Sequence, residues 1–546
     1  MQKTKYSNWV QGSDMKGKFQ RKKVVVVGGG LAGLAAARML SDYRRGLEDV
    51  VVLEADSSLG GRIKHITGLA PWPVEVGPEF LHGRKHSSVR RIAEEMGCQI
   101  RELPYHILLC ILHSLITISK FDRYYLGHEG RMVSSSEANE HTDILHVHQI
   151  FERLAEEDPE VPDMSMAEYL HCKGVNRVVT QLAQSFYAND FGCSLEQLGL
   201  RECIEEAQQW IYGDTYLILD RPLSSIIDYL SQGLQVHLNW PVVRVEYTED
   251  KGVRLWSQNG STICADYLIL TVPMKILQEC VVEFDPPLPP SKLKSIQSIG
   301  MRNALKVIMA FSESFWPEDL FDVICTDCFL PEIWVTQYPD VANEAGQRTA
   351  LGQFVVVGFM AGELAVAASQ LSDGDILLQA LSQLDSMFGT INGSTTLNAE
   401  PCSKPSCAFQ DTIDTINSDS QVLEPGGEMM DPFPGVAEMP HKLITRSELH
   451  HREMASWDWK LKPASTSFQG GYVMNWELQE YVRGGYTHPS LHAHGARRTL
   501  AEPLLGRVFF AGEATHPGVN PCLQAAFDTG QRAASEIIAL ANPSRL

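Results

Sequence analysis

Residues Val24 to Val27 form an unbroken apolar run, preceded by Lys22 and Lys23 and followed by three glycines. A short, wholly apolar run between charge and a turn signal is the pattern of a strand buried on both faces, as in a parallel sheet. Ala32 to Leu40 then predicts a helix, and Val50 to Leu53 a second strand that ends at Glu54. Helical spacing dominates from Ser87 to Gln209. Strand patterns return at Val242–Tyr247, Val253–Trp256 and Tyr267–Val272, the last closed by Pro273. From Asn398 to about Glu448 the chain turns to Ser, Pro, Asp and Gly with little periodicity, which predicts a mobile surface insertion. Order is expected to resume near Trp457, and the pattern ends with a strand, Arg507–Ala511, a loop, and a helix from about Cys522 to Leu540. No internal repeat is present. The apolar run His106–Ser119 falls short of the roughly 20 residues a membrane helix needs. It reads as a buried or interfacial helix, or as a stretch foreign to the fold, because it enters abruptly after Pro104.

A chain of 546 residues, 44% hydrophobic and 21% charged, exceeds one ordinary domain, and two are expected. The net charge of -21, from 67 acidic against 46 basic side chains, opposes phosphate backbones and attracts cations. Nucleic acid is therefore not an expected partner, whereas a polycationic substrate suits that field. The twelve cysteines form no dense framework, and no charged region followed by an apolar one opens the sequence, so a reducing compartment is expected. Cys325 and Cys328 make a lone C-x-x-C with no second pair at zinc spacing and read as two ordinary thiols; no metal site is expected.

The chemistry begins with Gly28-Gly29-Gly30-Leu31-Ala32-Gly33, a G-x-G-x-x-G placed between a predicted strand and a predicted helix. Gly28 permits the tight turn, Gly30 lets backbone approach a pyrophosphate, and Gly33 lets the helix pack closely, while the helix N-terminus offers free N–H groups to the phosphates. Glu54, closing the second strand, is placed to accept hydrogen bonds from a ribose 2′-hydroxyl, and an acid there disfavours a 2′-phosphate.

Leu59-Gly60-Gly61-Arg62, following this unit, resembles the FAD-dependent amine oxidase superfamily, closest in pattern to polyamine oxidases. The resemblance continues through Val74–Gly77 and Leu81–Gly83, Pro241–Val245, Leu268–Pro273, Phe284–Pro289, Gly358–Gly362, Gly484–Tyr486 and Val508–Thr515, in family order over nearly the whole chain. It implies an α/β fold: a discontinuous Rossmann-type FAD-binding domain (residues 22–90, 217–295 and 470–540) and an α+β substrate-binding domain (91–216 and 296–469). It implies that Arg62 contacts the FAD phosphates, that Val242 pairs through its backbone with adenine, and that Glu513 lies by the ribityl chain and diphosphate. Lys306 matches the family lysine that holds a water against flavin N5. A lysine among apolar strand neighbours needs a partner if buried. Tyr486 matches one wall of an aromatic cage before the flavin. His488 stands where polyamine oxidases often carry a second tyrosine, and Cys522 where monoamine oxidases have the other wall, so only half the cage is recognisable. Glu79 and His82 fall where polyamine oxidases place polar side chains near the substrate. Glu79 could attract the amine's charge, and His82 could accept its hydrogen bond or be a satisfied core histidine.

The resemblance implies oxidation of a polyamine or acetylpolyamine C–N bond by O2, giving an aldehyde, a shortened amine and hydrogen peroxide. A histone-lysine demethylase would use the same chemistry. That group carries a helical module before the fingerprint and a coiled-coil insertion; only about twenty residues precede Lys22 here, and residues 398–448 are no coiled coil. An L-amino-acid oxidase would need an arginine clamp, and none is assignable. A flavin-binding scaffold or redox sensor is the non-enzymatic alternative. Ser544-Arg545-Leu546 fits the S-K-L type of peroxisomal signal, so an import receptor is an expected partner and the peroxisome, ahead of the cytosol, the expected address. Gly485 occupies the position of the flavin-bonding cysteine of monoamine oxidases, so FAD is expected to be non-covalent. Acid or heat should release all of it, and flavin fluorescence that stays with the polypeptide on a denaturing gel would contradict this.

Overall fold

The computed structural model describes residues 21–103, 122–336, 352–389, 443–450 and 462–541, apart from 44–46, 48, 214 and 520. The valine run becomes the strand Arg21–Val27, followed by the helix Leu31–Tyr43 and the strand Val50–Leu53. The two strands are parallel, with Val24 opposite Val50 and Val27 opposite Leu53. Thr262–Leu270 lies parallel on the other side of the first strand. Being nine residues long, it serves two neighbours: residues 262–265 pair with the antiparallel strand Gly252–Ser257, and residues 268–270 with the parallel strand Val508–Phe510. Gln235–His237 at one end, and Val242–Thr248 with Glu283–Asp285 at the other, complete an eight-stranded sheet. The helix Leu523–Ala541 packs on Leu31–Tyr43 so closely that a Cβ on Gly530 would lie 2.1 Å from the Ala32 carbonyl oxygen.

A second eight-stranded sheet runs in the order Ile444–Thr445, Phe468–Asn475, Ala304–Phe311, Phe354–Ala361, Glu332–Thr336, Asp322–Thr326, Asp122–Leu126, Arg131–Val133. All of its pairings are antiparallel except that of Asp322–Thr326 with Asp122–Leu126. Its central strand, Ala304–Phe311, is buried throughout.

Three expectations shift. Phe468–Asn475, which overlaps the segment expected from 470 onward to belong with the first sheet, pairs instead with Ala304–Phe311 in the second. Asp122–Leu126 and Arg131–Val133 are strands inside the stretch read as helical; Asp122 is a buried carboxyl, which broke the apolar pattern. Ile444–Thr445 and the helix Arg446–His450 carry order into the end of the supposed insertion, because Ile444 pairs with Gly471. The rest of that insertion, Trp457, the run 106–119 and the terminal Ser544-Arg545-Leu546 lie outside the described residues. The helix Arg177–Leu182 passes into a π-helical turn, Ala183–Ala188, a geometry that recurs at functional sites. No described helix is long and apolar enough to cross a membrane.

Candidate active site

A cavity of about 2020 Å³ runs from the glycine turn to the face of the second sheet. Pockets for drug-sized ligands hold about 300–1,000 Å³, so this one has room for a dinucleotide and a substrate together. At its first end the glycines do three separate things. Gly28 has φ +106°, and a Cβ on Gly33 would sit 1.9 Å from the Gly28 carbonyl oxygen. A Cβ on Gly30 would meet nothing nearer than Gly60 O at 3.9 Å, because Gly30 opens onto the cavity. This is the cradle a pyrophosphate needs. Glu54 accepts from the Gly29 and Asp56 N–H groups, which hold its carboxyl at the cavity wall although burial raises its pKa. Val242 also borders the cavity, where the pairing register of its strand shifts between Val242 and Arg244.

Arg62 and Glu513 meet in an ion pair at 3.0 Å, and Arg62 Nη1 also donates to the Gly485 carbonyl at 3.0 Å. The other Glu513 oxygen accepts from the Thr487 hydroxyl, which accepts from Arg497 Nη1 at 2.9 Å. Arg497 is only 2% exposed and has Glu202 3.7 Å away on its far side. These contacts fix Arg62 and Glu513 beside the glycine cradle with Arg62 still partly open.

At the other end, Lys306 is 5% exposed and its partner is Glu79: Nζ lies 3.2 Å from Oε2. Trp334 Nε1 donates to the same oxygen at 3.0 Å and Thr336 Oγ1 to Oε1 at 2.6 Å. Glu79 is thereby engaged on both oxygens. It serves Lys306 directly, rather than standing apart from it as a separate attractor for the substrate. The ammonium also lies 5.0 Å from the Trp334 ring centroid, a cation–π contact.

Tyr486 borders the cavity and its hydroxyl donates to the Asp190 carbonyl at 2.8 Å. Its ring passes where a Cβ on Gly192 would be, 2.7 Å away. A Cβ on Gly485 would lie 2.7 Å from Ala304 Cβ, so the backbone leaves no room for a side chain at this position. His488 does not form the second cage wall. It is 3% exposed, is absent from the cavity lining, bonds Ser490, and fills the space beside Gly300, where an added Cβ would lie 2.1 Å from its ring. Cys522 does line the cavity, as does Trp210, which the sequence reading missed. Burial pushes the Cys522 thiol up to about 12, so it is not a thiolate at neutral pH. His82 lines the cavity too, its ring 4.8 Å from that of Tyr216 and 6.2 Å from Trp210. Burial pulls its pKa down to about 4, leaving a neutral imidazole able to accept a hydrogen bond.

Sequence reasoning also missed a group of acids on this wall: Asp190, Glu206, Asp322 and Glu332. The signal was present for two of them. Asp322 and Glu332 each open a strand of otherwise apolar character, as Lys306 interrupts one.

Residues 31–404 and 444–538 match the family model "Flavin containing amine oxidoreductase". The chain belongs to that family. Its two eight-stranded sheets with flanking helices make the expected α/β fold. It is 24% identical over 528 residues to mouse lysine-specific histone demethylase 1B, covering 95% of this chain and 53% of that protein. It thus spans about half the length of the histone demethylases it matches, the human lysine-specific histone demethylase 2 included. It is 26% identical over 382 residues to polyamine oxidase 4 of Oryza sativa, covering 67% of this chain and 72% of the other. The structure of cyclohexylamine oxidase from Brevibacterium oxydans has the same fold, at a TM-score of 0.67 and 16% identity over 96% of this chain and 100% of that one.

The Lys306–Glu79 pair yields a test that separates folding from chemistry. Lys306→Met strands a buried carboxylate and should cost roughly 3–5 kcal/mol, visible in a thermal melt. Adding Glu79→Gln should recover most of that stability, while flavin reduction or reoxidation stays at least about tenfold slow in both variants. Normal rates for both half-reactions in the double variant would take Lys306 out of the reaction.

Proposed function

We propose that this oxidoreductase acts on a polyamine or acetylpolyamine, taking electrons from a C–N bond and passing them to O2 with release of hydrogen peroxide. The observation that carries this reading is the acidic wall at the end of the cavity remote from the glycine cradle. Asp190, Glu206, Asp322 and Glu332 border it, and Lys306, the cation near them, is already neutralised by Glu79. A cationic chain suits such a wall and an anionic one does not. The arginines on the cavity lining, Arg62 and Arg483, are paired with Glu513 and Glu279, which argues against a clamp for an amino acid's carboxylate.

When bound, the flavin supplies acceptance of a hydride equivalent from the carbon beside the amine nitrogen and return of the electrons to O2. The residues that would hold it are Gly28, Gly30 and Gly33 at the pyrophosphate, Glu54 at the ribose, and Arg62, Val242 and Glu513 along its length. The chain's own part in the reaction is orientation and exclusion. Tyr486, Trp210 and Tyr216 offer flat apolar walls that narrow the cavity and displace water. Neutral His82 can accept a hydrogen bond from an amine N–H and so help set which carbon faces the flavin. Lys306, held by Glu79 and Trp334, presents a fixed ammonium on that wall.

The similarity to histone demethylases over 95% of the chain supports a second reading, oxidation of a methylated lysine side chain in a peptide. Anaerobic flavin bleaching and aerobic peroxide release, measured with spermine, N-acetylspermine, a dimethyl-lysine peptide and butylamine, distinguish the two. We expect the first pair to be oxidised at least about tenfold more efficiently than the others. A preference for the peptide would replace the polyamine reading, and no bleaching with any amine would favour a scaffold.

For the address we propose the peroxisome, on Ser544-Arg545-Leu546 alone: a receptor-read tripeptide places a peroxide source beside catalase. An N-terminal fluorescent fusion should be punctate with the tail and diffuse without its last three residues. Diffuse fluorescence in both would sink the assignment.

A further inference from the structure

The second sheet presents a row of charge on one face. Directly paired residues on neighbouring strands share a face, and so do residues two apart on one strand. Lys306 is opposite Phe359, and Phe359 is opposite Glu332. Trp334, two residues from Glu332, is opposite Asp322, and Asp322 is opposite Asp122. At about 4.8 Å per strand, Glu332 lies roughly 10 Å from Lys306 along the sheet, with Asp322 one strand farther. Asp190 reaches the same place from above, at the end of the π-helical turn, and hydrogen-bonds Glu332 through its side chain. It faces the cavity, and Tyr486 fixes its carbonyl.

These acids have few partners. Asn189 Nδ2 donates to Glu332 at 3.3 Å. Asp322 is 4% exposed, borders the cavity, and has Oδ1 without a hydrogen-bond partner among the described residues; Asp122 behind it is equally buried with Oδ1 likewise unmatched. The charged and titratable groups facing them are Glu79, Lys306, Tyr216, Tyr486, Cys193, Tyr124 and Arg123. Lys306 belongs to Glu79, and Arg123 donates from Nη2 to Asp319 at 2.9 Å and from Nη1 to the Asp122 carbonyl. Natural proteins rarely leave a buried carboxyl oxygen unmatched, and the one that Asp322 brings to the cavity wall, beside two further acids, is matched by what the cavity receives.

We propose that Asp190, Glu332 and Asp322 form one carboxyl cluster that holds protons in the free enzyme and exchanges one of them for the distal ammonium of an extended di- or polyamine. This rests on the polyamine reading above and adds to it where the second charge sits and what its binding releases. The step balances simply: the ammonium enters with its charge, one carboxyl O–H breaks, its proton goes to solvent, and the carboxylate left behind accepts N–H hydrogen bonds. Desolvation inside the cavity, with neighbouring acids adding to it at Asp322 and Glu332, favours the protonated forms: those two stand well above the usual carboxylate range, and Asp190, whose surface opens onto the cavity rather than being packed against protein, is pushed up to about 7. Without ligand, the charging of these acids erodes fold stability as pH rises from the ordinary carboxylate range through the raised values, and affinity for the ammonium rises over the same interval.

The test uses holoenzyme reduced with dithionite under nitrogen, so that ligand binds without turnover. Titration calorimetry with spermine and with butylamine, in phosphate and in Tris at pH 7, counts protons released from the buffer dependence of the heat. Spermine should release about one proton more than butylamine. Asp322→Asn and Glu332→Gln should each abolish that difference and weaken spermine at least about tenfold, with butylamine little changed. The flavin spectrum reports whether each variant is folded, and Asp190→Asn, which faces the cavity, replaces any that is not. Equal proton release by the two amines, in an enzyme whose oxidised flavin spermine still bleaches, would overturn the cluster while leaving the polyamine reading intact. Failure of spermine to bleach the flavin would overturn both.

Discussion

The cofactor site depends on one ion pair between residues 451 positions apart, Arg62 and Glu513. Arg62 follows the glycine turn of the first βαβ unit, and Glu513 follows the strand that adds to the middle of the same sheet, so the pair can close only when both segments lie parallel beside Thr262–Leu270. A partly buried charge needs its partner in a narrow range of positions. Arg497, through Thr487, leaves Glu513 little freedom. The glycine turn, Glu54 and Arg62 are thus held in register by a contact that no local stretch of chain could make.

The second constraint is the cost of burying charge on the other sheet. Lys306 and Glu79 solve it within the protein, with Trp334 and Thr336 completing the carboxylate's bonds. Three and four strands away the same sheet face carries Asp322 and Asp122, each with one carboxyl oxygen unmatched among the described residues. One face therefore combines a closed electrostatic unit, suited to holding geometry, with an open one, suited to receiving a cation.

The cofactor half of this arrangement was legible in the sequence because it is written in local signals. A valine run, a glycine triplet and an acid at a strand end carry their reading locally, whereas the arginine soon after drew its reading from the family resemblance; the sheet bears out the strand and helix positions to within a few residues. Lys306 was legible for the same reason, as a charge among apolar neighbours. Its partner was not: Glu79 sits on a loop 227 residues away, and nothing local says that a carboxylate there points at a particular strand. His488 misled because its neighbour Tyr486 does face the cavity, whereas the ring of His488 is drawn into the gap that Gly300 leaves. Asp190 was invisible because it follows a π turn in a stretch read only as helical, and nothing local says that it reaches the cavity. The acids Asp322 and Glu332 each open a short apolar stretch, and only the pairing of the strands shows that they line up.

The closing of the first sheet also sets an order in time. Val508–Phe510 completes it and the helix Leu523–Ala541 covers the helix Leu31–Tyr43, so the earliest segment of the fold waits for the latest. At roughly 5–20 residues per second, a ribosome that has made Arg62 needs roughly 20–90 s more to deliver Glu513. For that interval the nascent chain carries a glycine cradle with no second wall and an apolar helix with no cover. The two sides of the Arg62–Glu513 pair therefore meet only after synthesis has passed Glu513.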